Sequence, residues 1–186
     1  MQNLWQKKLK LNYSKDVVDI VQFGSSISSD TPNDVDIAII FWKIPVKEQL
    51  IQSQNIKKQL EKVSDIPIHV TSFDISSFFN ESNFAKENIL ISGKSLISGD
   101  FFAKSFGFTP RLQISYSLTK LKKKDKVRFN YMLNGKKGNY GLLRKYGGVL
   151  LHPGLIEISP DFETIFLKAI KEITDKFKIK KILTAD

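Results

Sequence analysis

Two carboxylates stand two residues apart in the first half of the chain, at Asp34 and Asp36. The residues that follow are apolar, so residues 35–42 are predicted to form a buried strand that begins at this pair. Residues two apart on a strand point to the same side, so the two carboxylates are expected side by side. Like charges this close are costly unless a cation lies between them, and Mg²⁺ prefers hard oxygen ligands. The spacing therefore predicts a magnesium site.

A glycine and a serine precede this pair. Gly24 and Ser25 directly follow the β-branched, apolar residues 17–23, which predict another buried strand, and residues 24–34 have the composition of a loop. Gly24 lets the backbone approach a phosphate closely, and Ser25 supplies a hydroxyl and an amide donor. The order of strand, Gly-Ser, polar loop and Asp-x-Asp strand is more specific than either pair alone.

Residues 23–40, FGSSISSDTPNDVDIAII, resemble the signature of the polymerase-beta-like nucleotidyltransferases, in particular the minimal and aminoglycoside-type members. That signature is an apolar residue, Gly, then Gly or Ser, a loop, and Asp, an apolar residue and Asp or Glu. Residues 87–99, ENILISGKSLISG, resemble the helix end, glycine and apolar strand that commonly close the domain in minimal members. The resemblance covers about residues 16–100.

The resemblance implies transfer of a nucleoside monophosphate from a nucleoside triphosphate (NTP) to an acceptor hydroxyl. Asp34 and Asp36 are then the ligands of two Mg²⁺ ions, one on the triphosphate and one at the acceptor hydroxyl. Gly24 and Ser25 then hold the triphosphate.

The sequence departs from the family pattern at its third carboxylate. The strand expected to carry that group is predicted over residues 66–73, and His69 occupies the expected position. His69 is a candidate general base, because imidazole suits proton transfer near pH 7. A second interpretation is that His69 is a structural substitute for the carboxylate, in a protein that binds nucleotide and turns it over slowly or not at all. A third is that Asp74, at the end of this strand, supplies the missing ligand through a shift in register.

The apolar pattern of the residues between and after these strands predicts helices, and therefore an α/β (α+β) fold. Apolar residues at helical spacing predict a helix over 46–63, and residues 75–92 predict another. We expect a small mixed sheet flanked by helices in a nucleotidyltransferase-like domain, residues 1–100. A basic α+β domain, residues 101–186, is expected to follow, and it resembles no family that we can name.

Charge is distributed unevenly between these two parts. Residues 1–100 hold 11 Lys and Arg against 12 Asp and Glu, whereas residues 101–186 hold 18 against 7. This asymmetry indicates a polyanionic partner, and interleaved tyrosines suit stacking on unpaired bases, so RNA or DNA binding is expected. The alternative is a solvated basic face. The candidate contacts are Lys122, Lys123, Lys124, Lys126, Arg128, Lys136 and Lys137.

Composition excludes several classes of protein. The chain has no cysteine, which excludes disulfides and thiolate metal sites. No apolar run approaches the roughly 18 residues of a membrane span, and the N-terminus lacks the pattern of a signal peptide, so a cytoplasmic location is expected. The leading hypothesis is Mg²⁺-dependent nucleotidyl transfer, most simply to a nucleic acid. The alternative is a catalytically impaired nucleotidyltransferase-fold protein that binds nucleic acid or a partner, including a toxin–antitoxin component.

Overall fold

The computed structural model describes residues 3–7, 9–29, 31–136 and 138–185 of the chain. It has a mixed α+β fold, as predicted, and divides into two compact units, Met1–Phe108 and Thr109–Asp186. The division lies a few residues beyond the predicted boundary, because Phe102 is buried in the core of the first unit.

The first unit contains four strands and four helices among its described residues. A short 3-10 helix, Leu4–Gln6, precedes them and another, Phe102–Phe106, follows. The elements are β1 (Val17–Phe23), α1 (Ser25–Ser28), β2 (Val35–Phe41), α2 (Val46–Glu61), β3 (Ile68–Asp74), α3 (Ile75–Phe78), α4 (Lys86–Ser92) and β4 (Lys94–Ser95).

The four strands form one mixed sheet in the order β3-β2-β1-β4. Strand β1 pairs antiparallel with β2 and β4, and β2 pairs parallel with β3. Helix α2 provides the crossover that a parallel pair requires. The expectation of a small mixed sheet with helices is therefore confirmed.

Strand β2 is central and is buried on both faces. Ile37, Ile39 and Phe41 belong to the core that includes α2, whereas Ala38 and Ile40 belong to the core on the other face. This division follows from the alternation of side chains along a strand. The second core also includes residues of α3, α4 and the Phe102–Phe106 helix, so these elements cover that face.

Helix α2 buries a different stripe from the one its apolar residues suggest. Leu50 and Ile51 are 56% and 54% exposed. Gln49 is buried instead because its side-chain amide donates to the carbonyl of Ile44 at 3.1 Å, which satisfies one of its polar groups. The buried stripe still has helical spacing. It consists of Gln49, Ser53, Ile56 and Leu60.

The second unit has a sheet in the order β10 (Phe177–Ala185), β5 (Phe108–Tyr116), β9 (Leu155–Ile158) and β8 (Val149–His152). Strands β8 and β9 pair antiparallel around Pro153 and Gly154, and β9 also pairs antiparallel with β5. Among the described residues, no helix of the chain has both the length and the apolar character that a membrane crossing requires. The elements are β5 (Phe108–Tyr116), α5 (Lys123–Asn134), β6 (Gly135–Lys136), β7 (Asn139–Tyr140), α6 (Leu142–Lys145), β8 (Val149–His152), β9 (Leu155–Ile158), α7 (Glu163–Lys171) and β10 (Phe177–Ala185).

Candidate functional site

Strand register brings Asp36 and His69 together. The two residues are direct partners in the parallel β2–β3 ladder, so their side chains lie on the same face of the sheet. Asp34 immediately precedes β2. The ligand atoms of Asp34, Asp36 and His69 all lie within 4.8 Å of one another, and we call these three residues the rim cluster.

The imidazole of His69 lies directly against one carboxylate. Its Nδ1 is 3.2 Å from Oδ2 of Asp34, a hydrogen-bonding distance. The side chain of His69 is 65% exposed and that of Asp34 is 31% exposed. Strand β3 is at the edge of the sheet, which leaves the ring open to a ligand from solution.

Electrostatics within the rim cluster disfavour a second negative charge. Burial raises the pKa of Asp36, and the neighbouring carboxylate of Asp34 raises it further, whereas His69 has the opposite effect. The two carboxylates therefore repel each other, and a cation between them relieves that repulsion.

Gly24 is in direct contact with this site. Its backbone has φ of 76° and ψ of −157°, a region that is essentially restricted to glycine. A Cβ atom at this position would lie 2.5 Å from Oδ2 of Asp36. Both the conformation and the contact therefore require glycine, and the backbone lies against the carboxylate. Ser25 follows at the exposed start of α1.

A buried hydrogen-bond network, which the sequence interpretation missed, holds this turn. The side-chain amide of Gln22 donates to Oγ of Ser26 at 3.0 Å, and that hydroxyl donates to the carbonyl of Phe23 at 3.2 Å. The amide of Leu4 donates to Oε1 of Gln22 at 2.9 Å. A glutamine inside a mainly apolar strand and a second serine after the glycine were the available signals.

Asp74 is not part of the rim cluster. It pairs with Phe41 at the opposite end of the β2–β3 ladder, about 16 Å along an extended strand from His69. Its carboxylate caps α3, accepting hydrogen bonds from the amide of Ser77 and the hydroxyl of Ser76, both at 2.7 Å. These hydrogen bonds lower the pKa of Asp74. The hypothesis that Asp74 is the third ligand is therefore dropped.

Most of the candidate basic residues lie on one helix of the second unit. Lys122 caps α5, and Lys136 lies in β6. Lys137 is outside the described residues. The cations of α5 and its cap are all exposed, and we call them the α5 cations: Lys122, Lys123, Lys124, Lys126 and Arg128.

Aromatic rings accompany the basic residues, but they serve different purposes. Phe129 is buried in the second unit, at 1% exposure. The guanidinium of Arg144 lies 4.1 Å from the ring centre of Tyr140, and Nζ of Lys136 lies 4.8 Å from that of Tyr131. Tyr140 and Tyr131 are exposed and so remain available for stacking.

Two clefts lie away from the rim cluster, and one of the α5 cations, Lys126, lines the second of them. One, of about 500 Å³, is lined by Asn12–Ser14 and polar residues of α2. The other, of about 490 Å³, lies in the second unit between Tyr116, Phe129 and Pro153. The rim cluster lines neither cleft, because it is open to solvent at the end of a strand.

The first unit thus brings together the residues that the sequence singled out for metal and phosphate binding. Asp34, Asp36 and His69 meet, Gly24 lies against Asp36, and Ser25 follows at the surface. Comparison of the chain with protein-family models, curated proteins and solved structures gave no match.

Proposed function

We propose that the chain transfers a nucleoside monophosphate from a nucleoside triphosphate to an acceptor hydroxyl on a nucleic acid. The observation that carries this proposal is the rim cluster itself. Asp34 and Asp36 from one motif and His69 from another strand present ligand atoms within 4.8 Å of one another. They lie beside Gly24, where the backbone conformation and the contact with Asp36 both require glycine.

The donor set of the rim cluster fits a divalent metal. Asp34 and Asp36 offer hard oxygen ligands, and Gly24 leaves the space beside Asp36 that any Cβ would fill. These two carboxylates would hold Mg²⁺, with two ions expected from the family resemblance. A bound ion neutralises phosphate charge and polarises the phosphoryl oxygen.

The turn at Gly24 and Ser25 suits a triphosphate. Ser25 supplies an exposed hydroxyl and a backbone amide directly after Gly24. The absence of a side chain at Gly24 lets a phosphate oxygen approach the backbone. We assign Gly24 and Ser25 to triphosphate binding.

His69 is positioned to accept a proton. In the tautomer with hydrogen on Nδ1, that atom donates to Asp34, and Nε2 of this exposed side chain keeps a lone pair that can accept a proton. The acceptor oxygen forms a bond to the α-phosphorus. The bond between the α-phosphorus and the oxygen that bridges to the β-phosphate breaks, and pyrophosphate leaves. The hydroxyl proton passes to Nε2 of His69.

The α5 cations support a polyanionic acceptor. A helix stabilises acidic residues at its N-terminus and basic residues at its C-terminus. Helix α5 has lysines at its start, together with one acidic residue, Asp125, and no basic residue in its last turn. The lysines lie where the helix dipole disfavours them, which fits a role in phosphate binding, and lysines contact phosphates without reading sequence.

One observation favours the alternative of an impaired enzyme that binds nucleic acid or a partner. The third group of the rim cluster is an imidazole where the resemblance expects a carboxylate. The alternative predicts nucleotide or nucleic-acid binding without turnover.

The test is pyrophosphate release with each nucleoside triphosphate, Mg²⁺ and a pool of RNA acceptors. His69→Ala should lower turnover about a hundredfold or more while triphosphate binding survives, since general-base terms are of that order. Asp74→Asn is the matched control and should retain activity, because asparagine also caps a helix. No release by the wild type, with activity gained in His69→Asp, would establish the impaired enzyme instead.

A second measurement concerns the acceptor. Binding of single-stranded RNA should weaken with salt, with a slope of about −0.7 per phosphate neutralised. Replacing Lys122, Lys123 and Lys124 with alanine should flatten that slope. Binding that is absent at low salt, or independent of salt, would remove the nucleic-acid part of the proposal.

A further inference from the structure

The ligand atoms of the rim cluster are not all of the kind that magnesium prefers. Mg²⁺ takes oxygen ligands, whereas imidazole nitrogen suits zinc and other transition metals. The rim cluster offers one imidazole and two carboxylates. Three protein ligands of these types, with a fourth position left for water, are the arrangement of open zinc sites.

We propose that Asp34, Asp36 and His69 bind one Zn²⁺ in preference to Mg²⁺, and that zinc bound there inhibits nucleotidyl transfer. The inhibition rests on the proposed function, whereas the zinc site does not. An imidazole that coordinates through Nδ1 carries its hydrogen on Nε2. It then has no lone pair for the proton of the acceptor hydroxyl.

The distances suit zinc with small side-chain movements. Metal–ligand bonds of about 2.0–2.2 Å place the ligand atoms of a tetrahedral site roughly 3.3–3.6 Å apart. Nδ1 of His69 and Oδ2 of Asp34 are already 3.2 Å apart, and no pair in the rim cluster exceeds 4.8 Å. The exposed ring of His69 has room to adjust.

The rest of the chain makes this site easy to test. The sequence has no cysteine and two histidines, so competing zinc ligands are few. Within the part of the chain that the structure describes, the rim cluster is the one group of three or more potential ligands. The other histidine, His152, is exposed in β8 with its Nδ1 3.1 Å from the carbonyl of Pro153.

The experiment is calorimetric titration of metal-free protein with Zn²⁺ and, separately, with Mg²⁺, without nucleotide. We expect one zinc per chain, bound at least about a hundredfold more tightly than magnesium, because the nitrogen ligand favours zinc. His69→Ala should weaken zinc binding by more than about tenfold, and His69→Asp should lower the zinc-to-magnesium affinity ratio by a similar factor. His152→Ala, the matched control, should bind zinc as the wild type does.

Two results would overturn the zinc site: wild-type zinc affinity in His69→Ala, or equal affinities for zinc and magnesium in the wild type. Circular dichroism checks that each variant is folded, and the exposure of His69 makes a folding failure of both variants unexpected.

Inhibition is measured separately, as pyrophosphate release in excess Mg²⁺ with increasing Zn²⁺. Zinc should inhibit the wild type and His152→Ala, and His69→Asp should resist it. Transfer that continues when zinc saturates the site would overturn the inhibition. Zinc binding that depends on His69, without transfer by any variant, supports the zinc site and overturns the proposed function.

Discussion

The two units present their candidate sites in different ways. In the first unit, the parallel register of β2 and β3 brings together residues that are distant in the sequence. In the second, cations that are adjacent in the sequence lie along one helix. Ligand binding at a site that strand register assembles depends on each of its residues, whereas the electrostatic attraction of a run of charges is the sum of many small contributions. Single substitutions should therefore have large effects in the rim cluster and small, graded effects in the α5 cations.

Asp36→Asn should produce the largest effect. We expect Mg²⁺-dependent triphosphate binding to be abolished, because one of the two carboxylates that would hold the metal is lost. Folding should not suffer, because the change removes the repulsion from Asp34. Calorimetry with a nonhydrolysable triphosphate measures the binding, with Asp74→Asn as the control. Unchanged affinity in Asp36→Asn would remove the metal site from the rim cluster.

Asp19 extends the comparison to a carboxylate inside the same sheet. It is buried in β1, where Ser95 and the amide of Ile20 each donate a hydrogen bond to its Oδ1 at 2.7 Å. Burial raises its pKa from the ordinary value of 3.8 to about 6, against the effect of these hydrogen bonds. The folded state therefore holds the proton more tightly than the unfolded state does.

The sign of the effect on stability follows from this shift. Stability from the protonated form is fully present below pH 3.8 and is lost as the pH rises to about 6. Asp19→Asn keeps the oxygen that accepts both hydrogen bonds and cannot ionise. It should match the wild type near pH 4 and exceed it at pH 7 by about 3 kcal/mol. Urea unfolding at both pH values checks this; equal stabilities at pH 7 would contradict it.

Gly24→Ala should change stability less than Asp19→Asn does, and it should also weaken triphosphate binding. The cost of placing alanine in this conformation is about 1–3 kcal/mol, and the added Cβ displaces the carboxylate of Asp36. Triphosphate affinity should fall along with the unfolding midpoint. Gly107 offers a control, because it also has a positive φ of 76°, in the left-handed region, and nothing within 4 Å of an added Cβ. Gly107→Ala should lower stability and leave triphosphate affinity unchanged, which separates an effect at the site from a general loss of stability.

Strand patterns and turn residues predicted the strands of the first unit well, whereas the helix expected over residues 75–92 is two helices, Ile75–Phe78 and Lys86–Ser92. The bounds of β1 agree at both ends, and Asp36 was placed on the strand next to that of His69. Which face α2 buries was not predictable from apolar residues alone, since Gln49 is buried with a hydrogen bond that depends on the tertiary fold. Asp74 illustrates the same limit: its position in the sequence fits either a ligand or a helix cap, and only the register separates the two roles.

The second unit was harder to predict because its elements bury few side chains. Helix α5 buries only Phe129 and Leu133 among its described residues, so its lysines concealed the helical period. Strand β10 was not predicted at all. Its described residues are half-buried or exposed, and the apolar–polar alternation of residues 177–180 is interrupted at Lys181.

The smallest expected effect tests the second unit most directly. Replacing Lys123 with glutamate puts an acidic residue in the first turn of α5, where the helix dipole favours it. Lys123→Glu should therefore raise the free energy of unfolding by about 0.3–1 kcal/mol while it weakens RNA binding. Lys168→Glu makes the same charge change near the C-terminus of α7, where a lysine is favourable, and should lower stability by a similar amount.

The two variants have equal net charge, so any difference between their RNA affinities reports the position of the substituted lysine. If the α5 cations bind phosphates, Lys123→Glu should reduce RNA affinity and the salt slope more than Lys168→Glu does. Equal losses would show that binding follows net charge without a defined surface. A stabilised Lys123→Glu that binds RNA as the wild type does would identify the α5 cations as a solvated face. The nucleic-acid acceptor would then have to be abandoned, whereas the metal chemistry of the rim cluster would be unaffected, because it depends on Asp34, Asp36 and His69 alone.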